Sequence, residues 1–201
     1  VSAGRSENKQ KILEIAREMG YIPNQAAIHL KLSRSYTIGL YFSTISKMTS
    51  PFVLHDVLTG VYSMVGSKYN VVVKGIDMHE KGTLNPSFYD GIILLSQRSE
   101  DSEFINEVLQ KEIPMVAICR VILYDVPNVV TVETKAMEKA MDFLLEMGHR
   151  EIAVIEGSPG LDSTRLRHMG WRNAMLQRGL NPDQVQVETG NYRYSSGYEA
   201  A

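Results

Sequence analysis

The side chains of this 201-residue chain that could do chemistry are better suited to holding a ligand than to transforming one. The five histidines, His29, His55, His79, His149 and His168, have no metal-ligand spacing, and a single cysteine, Cys119, excludes a multi-cysteine zinc site. There is no Gly-x-Ser-x-Gly elbow, no phosphate-cradling P-loop and no Gly-x-Gly-x-x-Gly turn. The acidic run Glu100, Asp101, Glu103 falls at a predicted helix start, where the helix dipole favours carboxylates without any catalytic role. The expectation is therefore no catalytic residue, no cofactor and no metal. What remains is recognition chemistry. Ser50-Pro51-Phe52 offers a hydroxyl, backbone N–H groups at a helix start, and a ring face for a sugar or base. Arg120 and Arg167 offer planar five-donor forks that suit paired hydroxyls or a carboxylate.

The elements that must position these groups read as an α/β alternation. Strands are expected at 37–43, 70–76, 91–95, 114–118, 129–132, 151–156 and 184–188. Helices are expected at about 52–67, 102–111, 135–147 and 164–178, and a further helix begins near Ser195. Short, almost wholly apolar strands between amphipathic helices indicate parallel sheets covered on both faces. Ligands of such sheets lie beyond the carboxyl ends of the strands. Three segments reach such ends: 43–52, Cys119-Arg120, and 157–163. The connection from Ile76 to Gly91 is near the minimum for a crossover and contains Gly82 and Pro86, so it should hold little helix.

Upstream of Tyr36 the texture differs. Ser6 can cap a helix running to Met19, with Ile12, Ile15, Ala16 and Met19 on one face. Gly20 and Pro23 stop it, and Asn24 can cap a second, very short helix to about Leu32. One helix with one apolar stripe cannot fold alone, which suggests a fragment whose partner helices precede Val1. Residues 1–36 carry six Lys/Arg against three acids, a charge of +3, whereas residues 37–201 sum to −5. A basic end on an acidic body is how a polyanion-binding arm reads, although small biases of this kind also occur on ordinary solvated surfaces. The composition, 44% hydrophobic and 22% charged, excludes a disordered tail, a collagen and a coiled-coil rod. No apolar run reaches the roughly 18–20 residues of a membrane helix, and no signal peptide is visible, so a soluble, cytoplasmic protein with no membrane partner is expected.

Several segments, taken in order, carry a resemblance. Gly20-Tyr21-Ile22-Pro23-Asn24-Gln25-Ala26-Ala27-Ile28-His29-Leu30 leads through Arg34 to Thr37-Ile38-Gly39. Then follow Asp90–Ile93, Ile113–Val116, Leu144–Ile155 with its Gly148-His149-Arg150, Arg167–Trp171, and Ser196–Ala201. Each is loose, but their co-linear order over nearly the whole chain resembles the lactose-repressor/galactose-repressor (LacI/GalR) family of transcription regulators. The resemblance implies an α/β, periplasmic-binding-protein-like (type I) fold. Doubly wound parallel sheets would form two subdomains, preceded by a short helical DNA-binding and hinge segment. The expected divisions are 1–36 for the end of the helix-turn-helix head and the hinge, 37–148 for the first subdomain, and 149–201 for the start of the second.

The same resemblance implies a site for each partner. In the hinge, Asn24, Ala27, His29, Leu30, Lys31 and Arg34 would contact operator DNA. Leu30 would wedge into the minor groove between flanking cations, at an unstacking cost of a few kcal/mol. An ordinary linker turn packed on the core is the plainer reading of that segment alone. The recognition helix for the major groove would precede Val1, so the chain as given should bind DNA poorly. In the cleft, Ser50, Pro51, Phe52, Arg120, Ser163, Arg167 and Trp171 would bind a small-molecule effector, expected to be a carbohydrate. Arg167 would be the anchor and Ser163 a second contact. Trp171 is included although an indole at this helical spacing packs in cores more often. Arg165 points elsewhere on the same helix. Where the family often has an Asp-Asn pair this chain reads Thr131-Val132-Glu133-Thr134, and Glu133 is the residue that could substitute. The expected function is a repressor, acting as a homodimer, whose operator affinity is set by the effector. The alternative is a solute-binding protein of the same fold serving transport or chemotaxis.

Overall fold

Short β-rich runs at regular spacing leave no choice but to pair in parallel when a helix separates each from the next. The computed structural model, which describes residues 11–12, 14–16, 18–20, 34–45 and 49–201, shows this pairing throughout. The chain divides into two units, Val1–Ser35 and Tyr36–Ala201. In the first, the described residues up to Glu18 are helical and end in a turn at Met19 and Gly20, where the Met19 N–H donates to the Ile15 carbonyl at 2.9 Å. Ile12, Ile15 and Met19, the expected apolar stripe, are all exposed.

The second unit holds two parallel sheets. In the larger, β1 (Thr37–Phe42), β2 (Asn70–Gly75), β3 (Gly91–Leu95), β4 (Met115–Ile118) and β5 (Asn128–Val129) lie in the order β2-β1-β3-β4-β5. Ile38 stands opposite Val71 on one side and Gly91 on the other. The two-residue period of a strand divides the core between the faces. Leu40, Phe42 and Leu95 pack under Leu54, Leu58 and Val61 of α1 (Pro51–Val65). Tyr41, Ile92 and Leu94 pack on the other face with Phe104, Ile105 and Val108 of α2 (Ser102–Gln110). The smaller sheet pairs β6 (Ala153–Glu156) with β7 (Gln186–Thr189). The fold is the type I periplasmic-binding-protein-like one expected.

Local signals place most boundaries. Pro51 opens α1 at a position where its missing N–H is not needed. Asn85 and Asn181 accept from Ser87 and Asp183 backbone N–H groups, capping short 3-10 turns. The 76–91 connection contains only two such turns, Ile76–Met78 and Pro86–Phe88, as its glycine and proline require. It is fastened instead by a carboxylate. Glu107 of α2 is buried and accepts from His79 Nε2 (2.9 Å), the Gly82 N–H (3.0 Å), the Leu84 N–H (3.1 Å) and Lys111 Nζ (3.0 Å). Burial alone would raise this carboxyl, but the four donors outweigh it and hold it at about 2. The strand expected at 129–132 contracts to two residues, because Asn128 turns its amide back onto Ile122 and Val126 and the chain then enters a helix.

One expected boundary is corrected. α3 (Glu133–Glu146) packs on α4 (Asp162–Gln177), not on the larger sheet. Met141 and Leu145 join Trp171, Ala174 and Met175 in one buried cluster, with Ile152 and Val154 of the smaller sheet's side against it. Gly170 makes the crossing possible. A Cβ there would stand 2.3 Å from the Thr134 carbonyl oxygen and 2.7 Å from the Met137 Cβ. The first subdomain therefore ends at the β5–α3 turn, and residue 148 is interior to the second.

Candidate ligand cleft

The carboxyl ends of β1, β3 and β4 are tied together by one buried carboxylate. Asp101, fully buried, accepts from the hydroxyls of Ser43 and Ser96, the latter at 2.9 Å, and from Arg98 Nη2 at 3.0 Å. Arg98 Nη2 also donates to the Ser43 carbonyl at 2.9 Å, and the Ser43 hydroxyl accepts from the Gln97 N–H at 2.9 Å. Arg120 closes the network, donating to Ser96 Oγ (3.1 Å), Ser102 Oγ (2.8 Å) and the Arg98 carbonyl. Buried polar groups that are fully partnered rigidify the backbone around them. The strand ends facing the cleft are accordingly fixed.

Gln97, one residue beyond that network, reaches the second subdomain. Its carbonyl accepts the Asp162 N–H at 2.8 Å and its side-chain oxygen accepts the Ser163 N–H at 3.0 Å. Those are the first two N–H groups of α4, which a helix leaves without internal partners. Leu161, at the N-cap, has no side-chain oxygen to offer. The opposite subdomain therefore caps the helix.

Between the two lies a cleft of about 390 Å³, at the low end of the roughly 300–1,000 Å³ usual for small ligands. Ser43, Thr44, Thr49 and Ser50 line its first side, with Val53 and Leu95 beneath. Ser163, Arg167 and Tyr192 line the other, and Cys119, Thr131 and Glu133 complete it. Arg167 Nε donates to Glu133 Oε2 at 2.6 Å, and the Thr131 hydroxyl donates to Glu133 Oε1 at 2.8 Å. Burial tends to raise the Glu133 carboxyl, but Arg167 and then Thr131 hold it below the usual carboxylate range. Glu133 in turn keeps the guanidinium firmly charged. Burial also raises the Cys119 thiol, an effect the hydrogen bond from Gln97 opposes. The cleft thus presents a neutralised cation–anion pair flanked by hydroxyls and apolar walls. Such a lining matches a polyhydroxylated ring better than a bare ion.

Tyr192 sits at φ +61°, the left-handed region, just beyond β7. Its hydroxyl meets Thr164 Oγ1 at 2.9 Å, and the Arg167 guanidinium lies 5.7 Å from its ring centroid. Gly157, after β6, makes room for this ring. A Cβ at 157 would fall 2.0 Å from Tyr192 Cζ.

Of the effector residues expected from sequence, Ser50, Ser163 and Arg167 line the cleft together. Pro51 and Phe52 line a second, wider hollow beside it, of about 720 Å³. Arg120 borders an adjoining hollow, its guanidinium donating to the strand-end network. Trp171 is a correction. It is 1% exposed, packed against Met141 and Leu145, and its Nε1 donates to Glu156 Oε1 at 2.9 Å. The helical spacing that suggested a shared face with Arg167 turns the indole into the α3–α4 core instead. Sequence reasoning missed Gln97, Cys119 and Tyr192. The strand-end rule could have found Gln97 and Cys119, which directly follow apolar strands. Of the hinge residues, Asn24, Ala27, His29, Leu30 and Lys31 lie outside the described residues, and Arg34 is exposed. Among the described residues no group of three or more His, Cys, Asp or Glu could hold a metal ion, and no helix is long and apolar enough to cross a membrane.

Residues 80–201 match the family described as periplasmic binding proteins and sugar binding domain of LacI family. The chain is 34% identical over 198 residues to the probable HTH-type transcriptional repressor ExuR of Bacillus subtilis (strain 168), covering 98% of this chain and 60% of that protein. It is 28% identical to the ribose operon repressor of Escherichia coli (strain K12), covering 94% of this chain and 59% of that one. It therefore spans about 60% of the length of these curated relatives. Among solved structures, the transcriptional regulator CelR–cellobiose complex aligns over all of this chain and 61% of that one, at a TM-score of 0.65 and 25% identity. The lac repressor dimer bound to operator and the anti-inducer ONPF aligns over 96% of this chain and 59% of that one, at a TM-score of 0.75 and 19% identity. The latter likeness concerns the fold.

Proposed function

The chain belongs to the family of periplasmic binding proteins and LacI-type sugar-binding domains, and from that premise we propose that it forms part of a DNA-binding transcription regulator, a repressor controlled by a small-molecule effector. The effector is a sugar or sugar derivative, held in the cleft around Arg167. One observation carries this reading: a cation–anion pair, Arg167 with Glu133, stands among hydroxyls where two subdomains face each other. The names of the relatives, repressors and regulators of sugar operons among them, support a regulator over an enzyme. No constellation of nucleophile and base lies in the cleft.

The mechanism follows from having one ligand between two bodies. A ligand that touches Ser50 on one side and Arg167 on the other favours the closed arrangement by its differential contacts, and it shifts the population accordingly. In a homodimer that shift changes whether two hinge segments can pair on operator DNA. There Asn24, Ala27, His29, Leu30, Lys31 and Arg34 would engage the minor groove, while a head preceding them reads the major groove. A soluble, cytoplasmic location goes with this role.

The test is a gel-shift titration of the full-length protein on the DNA it selects from a random duplex pool at low salt, where phosphate contacts are strongest. Sugars should change the affinity of the wild type. Arg167→Ala should keep DNA binding and lose the sugar response. Selection of no DNA sequence would point to the solute-binding alternative, and a preserved response in Arg167→Ala would reject the anchor.

A further inference from the structure

The cleft around Arg167 is not closed on the side of α1. Ser50 and Tyr192 wall both it and the wider hollow beside it, so the two are chambers of one continuous site. Their chemistry differs. The inner chamber has the Arg167–Glu133 pair and the hydroxyls of Thr44, Thr49 and Ser163. The outer chamber is walled by rings. Phe52 at the start of α1 is 62% exposed, and Tyr194 at the start of α5 (Tyr194–Ala200) is 83% exposed. Their centroids are 6.1 Å apart at an interplanar angle of 82°. Large rings left in water next to a polar cleft are costly surface unless something apolar covers them. One face of a sugar ring is a sheet of C–H groups, and an aromatic ring covers it well, as ring–ring contacts show.

We infer that the ligand has two rings, as in a disaccharide: one in the inner chamber around Arg167 and Glu133, the other against Phe52 and Tyr194. This rests on the sugar-effector reading above and extends it to ligand length. The floor of the outer chamber includes Gly197 on α5, whose missing Cβ would point into open space with nothing within 4 Å. A larger side chain at 197 therefore narrows the outer chamber without strain and leaves the inner one untouched.

The experiment is calorimetric titration of the full-length protein with matched probes: glucose against cellobiose and maltose, galactose against lactose and melibiose, and the corresponding uronic acids. At least one two-ring probe should bind about tenfold tighter than its one-ring partner, the scale of one or two aromatic contacts. Phe52→Ala and Gly197→Leu should both abolish that gain and leave the one-ring affinity unchanged. The two variants act oppositely, one emptying the chamber and the other filling it, so a folding defect in one does not decide the outcome. The inference is overturned if every one-ring probe binds as tightly as its two-ring partner, or if both variants weaken the two sizes equally. Binding of no sugar of either size would instead overturn the sugar-effector reading on which it stands.

Discussion

Glu107→Gln tests whether one buried carboxylate fastens the long 76–91 connection. The magnitude follows from the geometry. Each carboxylate oxygen accepts two donors, Leu84 N–H and Lys111 on Oε1, His79 and Gly82 N–H on Oε2. An amide presents only one oxygen, so its nitrogen must face two donors. Leaving buried donors unsatisfied costs about 1–3 kcal/mol each, with charged partners at the upper end. A second route gives a similar figure. The carboxyl sits at about 2 in the folded chain, against about 4.3 when unfolded, and that difference is worth about 3 kcal/mol of stability at pH 7. The expected loss is therefore about 3 kcal/mol in urea unfolding, or roughly 6–12 °C in Tm for a unit of this size. The sign of the pH dependence is fixed. A carboxyl depressed by folding stabilises fully above its unfolded value and loses that stabilisation as pH falls towards its folded value. The gap between wild type and Glu107→Gln should be full at pH 6–7 and fall to about half by pH 3. A deficit below about 1 kcal/mol at pH 7, or one that does not shrink on acidification, would refute the argument.

Three further outcomes are expected. Gln97→Ala removes the cross-cleft acceptor of the Ser163 N–H. It should weaken sugar binding several-fold, at about 1 kcal/mol for one hydrogen bond, and enlarge the radius of gyration of the sugar-bound state in small-angle scattering; unchanged values of both would dismiss the latch. Gly170→Val forces a side chain against the Thr134 backbone. It should cost at least about 2 kcal/mol in thermal unfolding, and a neutral effect would contradict the close α3–α4 crossing. Leu30→Ala in the full-length protein should weaken operator binding in gel shifts and leave sugar affinity intact; an unchanged operator affinity would sink the wedge.

The alternation of helix and strand was legible because each element announces its own period. Leu40 and Phe42 against Tyr41, or Phe104, Ile105 and Val108 on α2, need no knowledge of their partners to declare a buried face. What failed was non-local. Gly148 ends a helix, and the reading at 148 took that local stop for a subdomain boundary; which sheet α3 serves is decided by Gly170, some twenty residues on. Trp171 was misplaced for a related reason. Spacing from Arg167 says which residues share a helix, and only the arrival of Met141 and Leu145 says which way the indole turns. In the cleft, Arg167, Ser163 and Ser50 were found through the resemblance, because they stand in motifs. Tyr192 was not, since nothing in Gly190-Asn191-Tyr192 reveals a tyrosine in a left-handed conformation. Gln97 acts mainly through two acceptors aimed at another subdomain, a role no side-chain pattern encodes.

The fit of Tyr192 over Gly157 constrains how this site can change over evolutionary time. With the ring in place, position 157 admits no side chain, since its first carbon would lie within 2.0 Å of the ring. Gly157→Ala should be harmful alone and tolerated once residue 192 is small, so the two sites should show strong sign epistasis in a double-mutant cycle. A lineage that alters its ligand by reshaping this wall must therefore change position 192 first. Each such change opens or closes the route at 157, and the order of substitutions becomes part of the record of how the specificity was reached.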